Sequence, residues 1–226
     1  MAAPQDWAAV LDDDALVVAH RLLGAQIELK GPLSAAPAAG RRFRLAELEA
    51  YCFPNDTANH ARFGRTARNA PMWGPPGFVY IYLCYGVHLM LNFVTGPAGQ
   101  AAAVLVRGVE PLDDAGRPAP SPRLNGPGKV GRAFGLARTH TGWAAEHLFS
   151  LRLAETPTER RVGPRIGIGY ATPADQAAPW RVALPGSPHV GHPRGLGPPP
   201  PAPVPDPPPG GPLPAPDDQP GSPSSG

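Results

Sequence analysis

Arg42-Phe43-Arg44-Leu45-Ala46-Glu47-Leu48-Glu49-Ala50-Tyr51 alternates as a strand does, and its reading decides the fold class. Phe43, Leu45, Glu47, Glu49 and Tyr51 share one parity; Arg44, Ala46, Leu48 and Ala50 take the other. On this reading two carboxylates lie on the face that carries Phe43 and Leu45. A carboxylate on such a face is either one half of a structural ion pair with an arginine, or a base whose pKa burial has raised. Parity alone leaves both open for Glu49.

Downstream, Cys52–Pro76 is a long polar connection, and a connection of that length inside a compact domain is usually functional or disordered. Phe78–Leu83 is rich in β-formers, Cys84–Val87 is a tight turn around Gly86, and Leu89–Val94 returns as an apolar strand interrupted by Asn92. Ala101–Val106 follows as another strand, ending at Arg107. Together these predict an antiparallel meander. Upstream, Asp12–Asp14 is expected to cap a helix running to about Leu23, where Gly24 stops it, and Gln26–Leu29 is a short strand. A loop over Gly31–Gly40, a short helix over Lys129–Leu136 and strands over Leu148–Leu153, Arg165–Gly169 and Arg181–Leu184 complete the expectation. Without βαβ alternation the fold class is α+β: a single domain with a curved antiparallel meander and short helices around it.

Composition divides the chain. From Gly191 onward it collapses into Pro, Gly, Ala and Ser, with 15 of the 34 prolines and no aromatic residue. Such a segment cannot bury enough apolar surface to offset its ordering entropy, so residues 1–190 are expected to form the domain and 191–226 a disordered tail acting as a solvated spacer. The tail carries one Lys/Arg against three Asp/Glu, which leaves residues 1–190 at +4 against +2 for the whole chain. That balance permits an anionic partner without demanding one. Arg41, Arg42, Arg44, Arg62, Arg65 and Arg68 cluster in sequence, as an anion-binding surface or a solvated charged face.

The two cysteines, Cys52 and Cys84, and the seven scattered histidines have no metal-ligand spacing, so neither a metal nor a cofactor is expected. The sequence offers no run apolar and long enough for a signal or membrane helix; a soluble cytoplasmic protein, nucleoid-associated if bacterial, and a monomer are expected.

Four of the five tyrosines, Tyr51, Tyr80, Tyr82 and Tyr85, fall near Glu49 in this stretch. Planar rings beside a candidate base can sandwich a flat, electron-poor ligand such as a nucleobase, or can simply pack a core. Tyr85, at a hairpin tip beside Gly86, is hard to bury and is placed to wedge between stacked bases. His60 lies in the polar connection. A buried Asn92 must find partners, either a base edge or two backbones to tie together. Arg107 is a lone charge closing an apolar run, able to pair with Glu49 or to hold a water against it.

These residues carry a resemblance. Glu47-Leu48-Glu49-Ala50-Tyr51, His60, Arg68-Asn69, Met72, Pro76-Gly77, Val79-Tyr80-Ile81-Tyr82, Tyr85-Gly86, Asn92 and Arg107-Gly108-Val109-Glu110-Pro111 resemble, in order, the alkyladenine (3-methyladenine) DNA glycosylase family. The likeness continues through Gly126-Pro127-Gly128-Lys129 and Pro164-Arg165-Ile166-Gly167-Ile168 to Pro179-Trp180-Arg181. It implies a base excision repair enzyme that flips alkylated or deaminated purines from duplex DNA and hydrolyses the N-glycosidic bond, leaving an abasic site. By the same resemblance Glu49 is the general base, and Arg107 and the Ile166 carbonyl hold its water. Tyr51 and His60 on one side and Tyr82 on the other form the walls around the base, to which the His60 N–H donates. Tyr85 fills the gap in the duplex, and Asn92 disfavours the exocyclic amine of guanine. Leu48 departs from the family's frequent Thr, Val87 from a larger Met, and His88 from an aromatic.

Lys30 and Lys129, the only lysines, lie outside the catalytic stretch, so a Schiff-base lyase route is not expected and a monofunctional hydrolase is. Two other readings are a non-catalytic binder of damaged or bent DNA and an RNA-directed or nucleoside hydrolase.

Overall fold

The meander hairpin and the ten-residue strand are the frame on which everything else is hung. The computed structural model describes residues 5–35, 42–154 and 159–199. Helices α1 (Trp7–Leu11) and α2 (Ala15–Leu22) begin at Asp6 and Asp14, whose carboxylates each accept a backbone N–H from the first turn. Strands β1 (Gln26–Leu29), β2 (Arg42–Tyr51), β3 (Val79–Cys84), β4 (His88–Val94) and β5 (Ala103–Leu112) follow. Then come α3 (Pro127–Ala133), α4 (Ala145–Leu148), β6 (Phe149–Arg152), β7 (Arg161–Gly163), α5 (Pro173–Ala177) and β8 (Arg181–Ala183).

All eight strands belong to one curled antiparallel sheet, ordered β3-β4-β5-β2-β1-β6, with β8 also pairing β2 and β7 pairing β8. The α+β class and the β3–β4–β5 meander are as expected. β2 is its seam: β5 runs along one edge, while the other edge pairs with β1 at Arg42–Arg44 and with β8 at Glu47–Glu49. The core packs Phe43, Phe93, Phe134 and Phe149 with Trp7, whose ring lies 4.7 Å from that of Phe93. Among the described residues no helix is long and apolar enough to cross a membrane.

Simple parity fails inside β2. The β2–β5 register runs Leu45↔Val109, Glu47↔Gly108, Leu48↔Val106, so β2 gains a residue at Ala46 and β5 gains one at Arg107. A bulge turns the following side chains to the other face. Phe43 and Leu45 join the hydrophobic core before it, and Leu48 and Ala50 after it. Glu47, Glu49 and Tyr51 therefore do not share the Phe43 face, as alternation predicted; the bulge carries them to the opposite one.

Other expectations need correction. Residues 165–169 form no strand: Gly167 has φ +77°, and the Ile166 N–H is taken by a side chain instead of a ladder. The third meander strand runs on to Leu112, and α1, α5 and β7 were not anticipated. The start of the proposed tail is ordered: Gly191 hydrogen-bonds Glu47 and Arg181, and Gly197 bridges Val162. The rest of that expectation, residues 200–226, lies outside the described residues, as do residues 36–40 of the expected loop.

Candidate active site

Glu47 and Glu49 are both fully buried, two residues apart on one face of β2, yet their partners differ. Glu47 Oε1 meets Arg181 Nη1 at 3.0 Å and Arg107 Nε at 3.4 Å, and its Oε2 accepts the Gly191 N–H at 2.7 Å. The backbone at His189 presses so close that a Cβ on Gly108 would come within 2.2 Å of the His189 oxygen, which is why the bulge is followed by glycine. Glu49 Oε1 accepts the Ile166 N–H at 2.7 Å and lies 3.3 Å from Arg107 Nε. Its Oε2 accepts from the Tyr51 hydroxyl at 2.9 Å and from Arg107 Nη1 at 3.3 Å. Burial pushes the Glu49 pKa up, opposed by Arg107, the Ile166 N–H and the Tyr51 hydroxyl. Burial also works against the Arg107 charge, and Glu49 and Glu47 outweigh it.

Three of the groups that touch Glu49 (Tyr51, Arg107 and Ile166) also line a cleft of about 640 Å³. His60, Tyr82, Asn92 and Tyr85 line the same cleft, so every expected site residue either lines it or, like Glu49, lies directly beneath its wall. The His60 and Tyr82 rings meet edge-on, 4.5 Å between centroids and 83° between planes, and Tyr80 stacks on Tyr82 at 5.5 Å and 26°. A ring pair in edge contact is not itself a slot for a third ring, so the His60 and Tyr82 walls do not face each other across an open gap. His60 Nδ1 is 3.2 Å from the Tyr80 hydroxyl; burial first, then the charges of Arg68 and Arg62, push its pKa down to about 4, so it is neutral near pH 7.

Asn92 is buried opposite Tyr80 across the hairpin and donates to the Tyr80 carbonyl at 3.0 Å and that of Met90 at 3.4 Å. The amide does tie two backbone segments together, and it does so while facing the cleft. Tyr85 is 87% exposed on the turn closed by Val87 N–H to Cys84 O. Its φ of +49°, next to Gly86 at +71°, is a left-handed conformation that costs a non-glycine residue roughly 1 kcal/mol. Val87 is exposed beside it, and Leu48 sits in the core on the far face of β2, away from the cleft.

Sequence reasoning missed the clamp behind Tyr51. Arg165 holds Asp56 through two bonds of 2.6 and 2.9 Å, donates to the Ala50 carbonyl, and lies 4.8 Å from the Tyr51 ring and 4.7 Å from that of Trp180. Asp56 in turn accepts the Cys52 and Ala58 N–H groups. This fixes the start of the Cys52–Pro76 connection against the segment that presents Ile166. The arginine cluster read from sequence also divides. Arg42 pairs with Glu28 and Arg44 with Glu110, whereas Arg68 lines the cleft and Arg62 an adjoining hollow, neither with a carboxylate partner among the described residues.

The sequence profile of the family described as Methylpurine-DNA glycosylase (MPG) matches residues 9–188. A protein of Nitrosococcus oceani, provisionally named a 3-methyladenine DNA glycosylase, is 45% identical over 190 residues, covering 78% of this chain and 88% of the relative. The DNA-3-methyladenine glycosylase of Arabidopsis thaliana is 41% identical over 195 residues, covering 80% and 72% respectively. A Cutibacterium acnes protein with the same provisional name as the first is 38% identical and is covered over 98% of its length. With a profile match across most of the chain and relatives this similar along most of their own length, the chain belongs to the methylpurine-DNA glycosylase family.

Proposed function

We propose that this monofunctional DNA glycosylase extrudes a damaged purine from the duplex into the cleft and hydrolyses its N-glycosidic bond with a water activated by Glu49. The observation that carries this reading is the buried Glu49 carboxylate, tied to the cleft by Tyr51, Arg107 and Ile166. Extrusion costs a few kcal/mol and is cheapest for a weakly paired, damaged base, which supplies part of the selectivity. Tyr85 fills the space the base leaves. The base lies against Tyr82, with Tyr51 and His60 as the opposing wall. Because His60 and Tyr82 start in edge contact, seating the base displaces the His60 ring; its backbone N–H donates to the base and Asn92 excludes the guanine amine.

As the glycosidic bond lengthens, positive charge grows on the sugar. The Glu49 carboxylate stabilises that charge and takes the water's proton, while Arg107 and the Ile166 backbone hold the water. The product is free base and an abasic site. Retention of the buried Glu49–Arg107 pair speaks against a non-catalytic binder, since a mere binder has no need of an expensive buried carboxylate beside its cleft. Incubation with alkylated duplex DNA tests the proposal. Free purine and an intact, alkali-sensitive abasic strand are expected from the protein as it stands. Strand cleavage without alkali, or binding with no purine released, would overturn it.

A further inference from the structure

Charges around the cleft cancel in pairs, with one exception on its wall. Glu47 and Glu49 are met by Arg107 and Arg181, and Asp56 by Arg165. His60 is neutral near pH 7, its pKa pushed down to about 4. Arg68 also lines the cleft, with its guanidinium carbon 5.8 Å from the Tyr82 ring centroid and its Nη2 3.5 Å from the Leu83 carbonyl, yet it pairs with no carboxylate among the described residues. Arg62, held between the Phe63 and Tyr170 rings at 4.6 and 4.9 Å, adds a second unpaired charge in the adjoining hollow, which shares His60, Arg68, Tyr80 and Tyr170 with the cleft. The base-holding end of the site is therefore positive. That is the wrong sign for attracting a cationic, alkylated purine.

We propose that Arg68 is a specificity-determining residue, whose uncompensated charge on the cleft wall favours extrusion and release of neutral purines over cationic ones. The inference rests on the function proposed above. When the C1′–N bond breaks, its electron pair passes to the purine, the water oxygen bonds to C1′, and the water's proton goes to Glu49. Bond breaking lowers the charge of the base by one in either case, so Arg68 discriminates through entry into the cleft: a purine alkylated at N3 or N7 enters as a cation, is repelled there, and leaves neutral. A neutral purine such as hypoxanthine enters without that repulsion and leaves as an anion, later protonated from solvent, whose developing charge the guanidinium beside Tyr82 stabilises. Arg68 offers that leaving group a positive charge rather than a proton. Arg68 lines the same cleft as His60, and after burial its charge helps to hold the His60 pKa down.

The test is single-turnover release, at saturating protein, from one duplex carrying either hypoxanthine or 7-methylguanine at the same position. The readout is the ratio of the two rates, which cancels duplex affinity and general loss of positioning but retains the extrusion step. Arg68→Gln is expected to shift the ratio about five- to tenfold against hypoxanthine, the effect of one exposed charge, and Arg68→Lys to restore most of it. Raising KCl from about 0.05 to about 0.5 M screens an exposed charge and should move the unmodified protein's ratio the same way, a measurement that needs no variant. A ratio that stays within about twofold in both experiments overturns the inference. So does a protein that releases 7-methylguanine and no hypoxanthine at all. Release of neither purine contradicts the proposed function itself.

Discussion

Glu47 and Glu49 stand two residues apart, equally buried on the same face of β2, yet they serve two different regions of the molecule. Around Glu47 the partners are Arg181, Arg107 and the backbone of Gly191, groups that join β2 to β8 and to the segment after it. Around Glu49 they are Tyr51, Arg107 and Ile166, all of which also line the cleft. Burial alone does not separate a structural carboxylate from a reactive one. The destination of the neighbouring groups is what supports the proposed reactive role of Glu49, and Arg107, shared by both, is the joint between the two regions.

The largest expected effect lies on the structural side. Glu47→Gln leaves Arg181 buried without a full counter-charge, which costs about 3–5 kcal/mol and should show as a lowered urea midpoint. Glu49→Gln should cost distinctly less. The Glu49 pKa is raised by burial, so its ionised form already lowers stability as pH rises from the ordinary carboxylate range through the folded value, and a neutral amide removes that penalty. Equal destabilisation by the two substitutions would erase the distinction.

A second expectation sharpens the cleft side. His60 has a depressed pKa of about 4 against an ordinary 6.5, so the stability it contributes is present above pH 6.5 and is lost as pH falls toward 4. Between pH 7 and pH 5 the loss is about 2 kcal/mol. His60→Gln should lack that share of the fall in urea midpoint, and an identical fall in both proteins would mean that the ring is not held neutral by its surroundings.

The smallest effect is at the hairpin tip. Tyr85→Gly relieves a left-handed tyrosine and should raise stability by up to about 1 kcal/mol, while weakening capture of the extruded base seen by stopped-flow fluorescence. Unchanged extrusion kinetics would remove Tyr85 from the proposed wedge.

Much of this frame was legible in the sequence because it is local. The β3–β4 hairpin and the exposed tyrosine follow from alternation and a turn glycine, and the resemblance names residues that do meet at one cleft. What parity could not see is the bulge pair at Ala46 and Arg107, because a register shift belongs to two strands at once and leaves no mark in either alone. Alternation in β2 therefore assigned Glu49 to the wrong face while still marking it as unusual. Ile166 and Ile168 imitate a strand, but the Ile166 N–H is spent on a carboxylate 117 residues away. The Asp56–Arg165 clamp spans 109 residues and has no local signature. Ordering of residues 191–199 was missed because composition reports the missing core, not the backbone hydrogen bonds that Glu47 and Arg181 offer.

The central claim is that Glu49 is the base that serves the cleft. Its most direct test is single-turnover purine release from alkylated duplex by Glu49→Gln, with lesion binding measured alongside. Lesion binding close to that of the unmodified protein is expected, with a rate lowered by at least about a hundredfold, the range expected for losing a general base. Release within about tenfold of the unmodified protein, with binding retained, would contradict it.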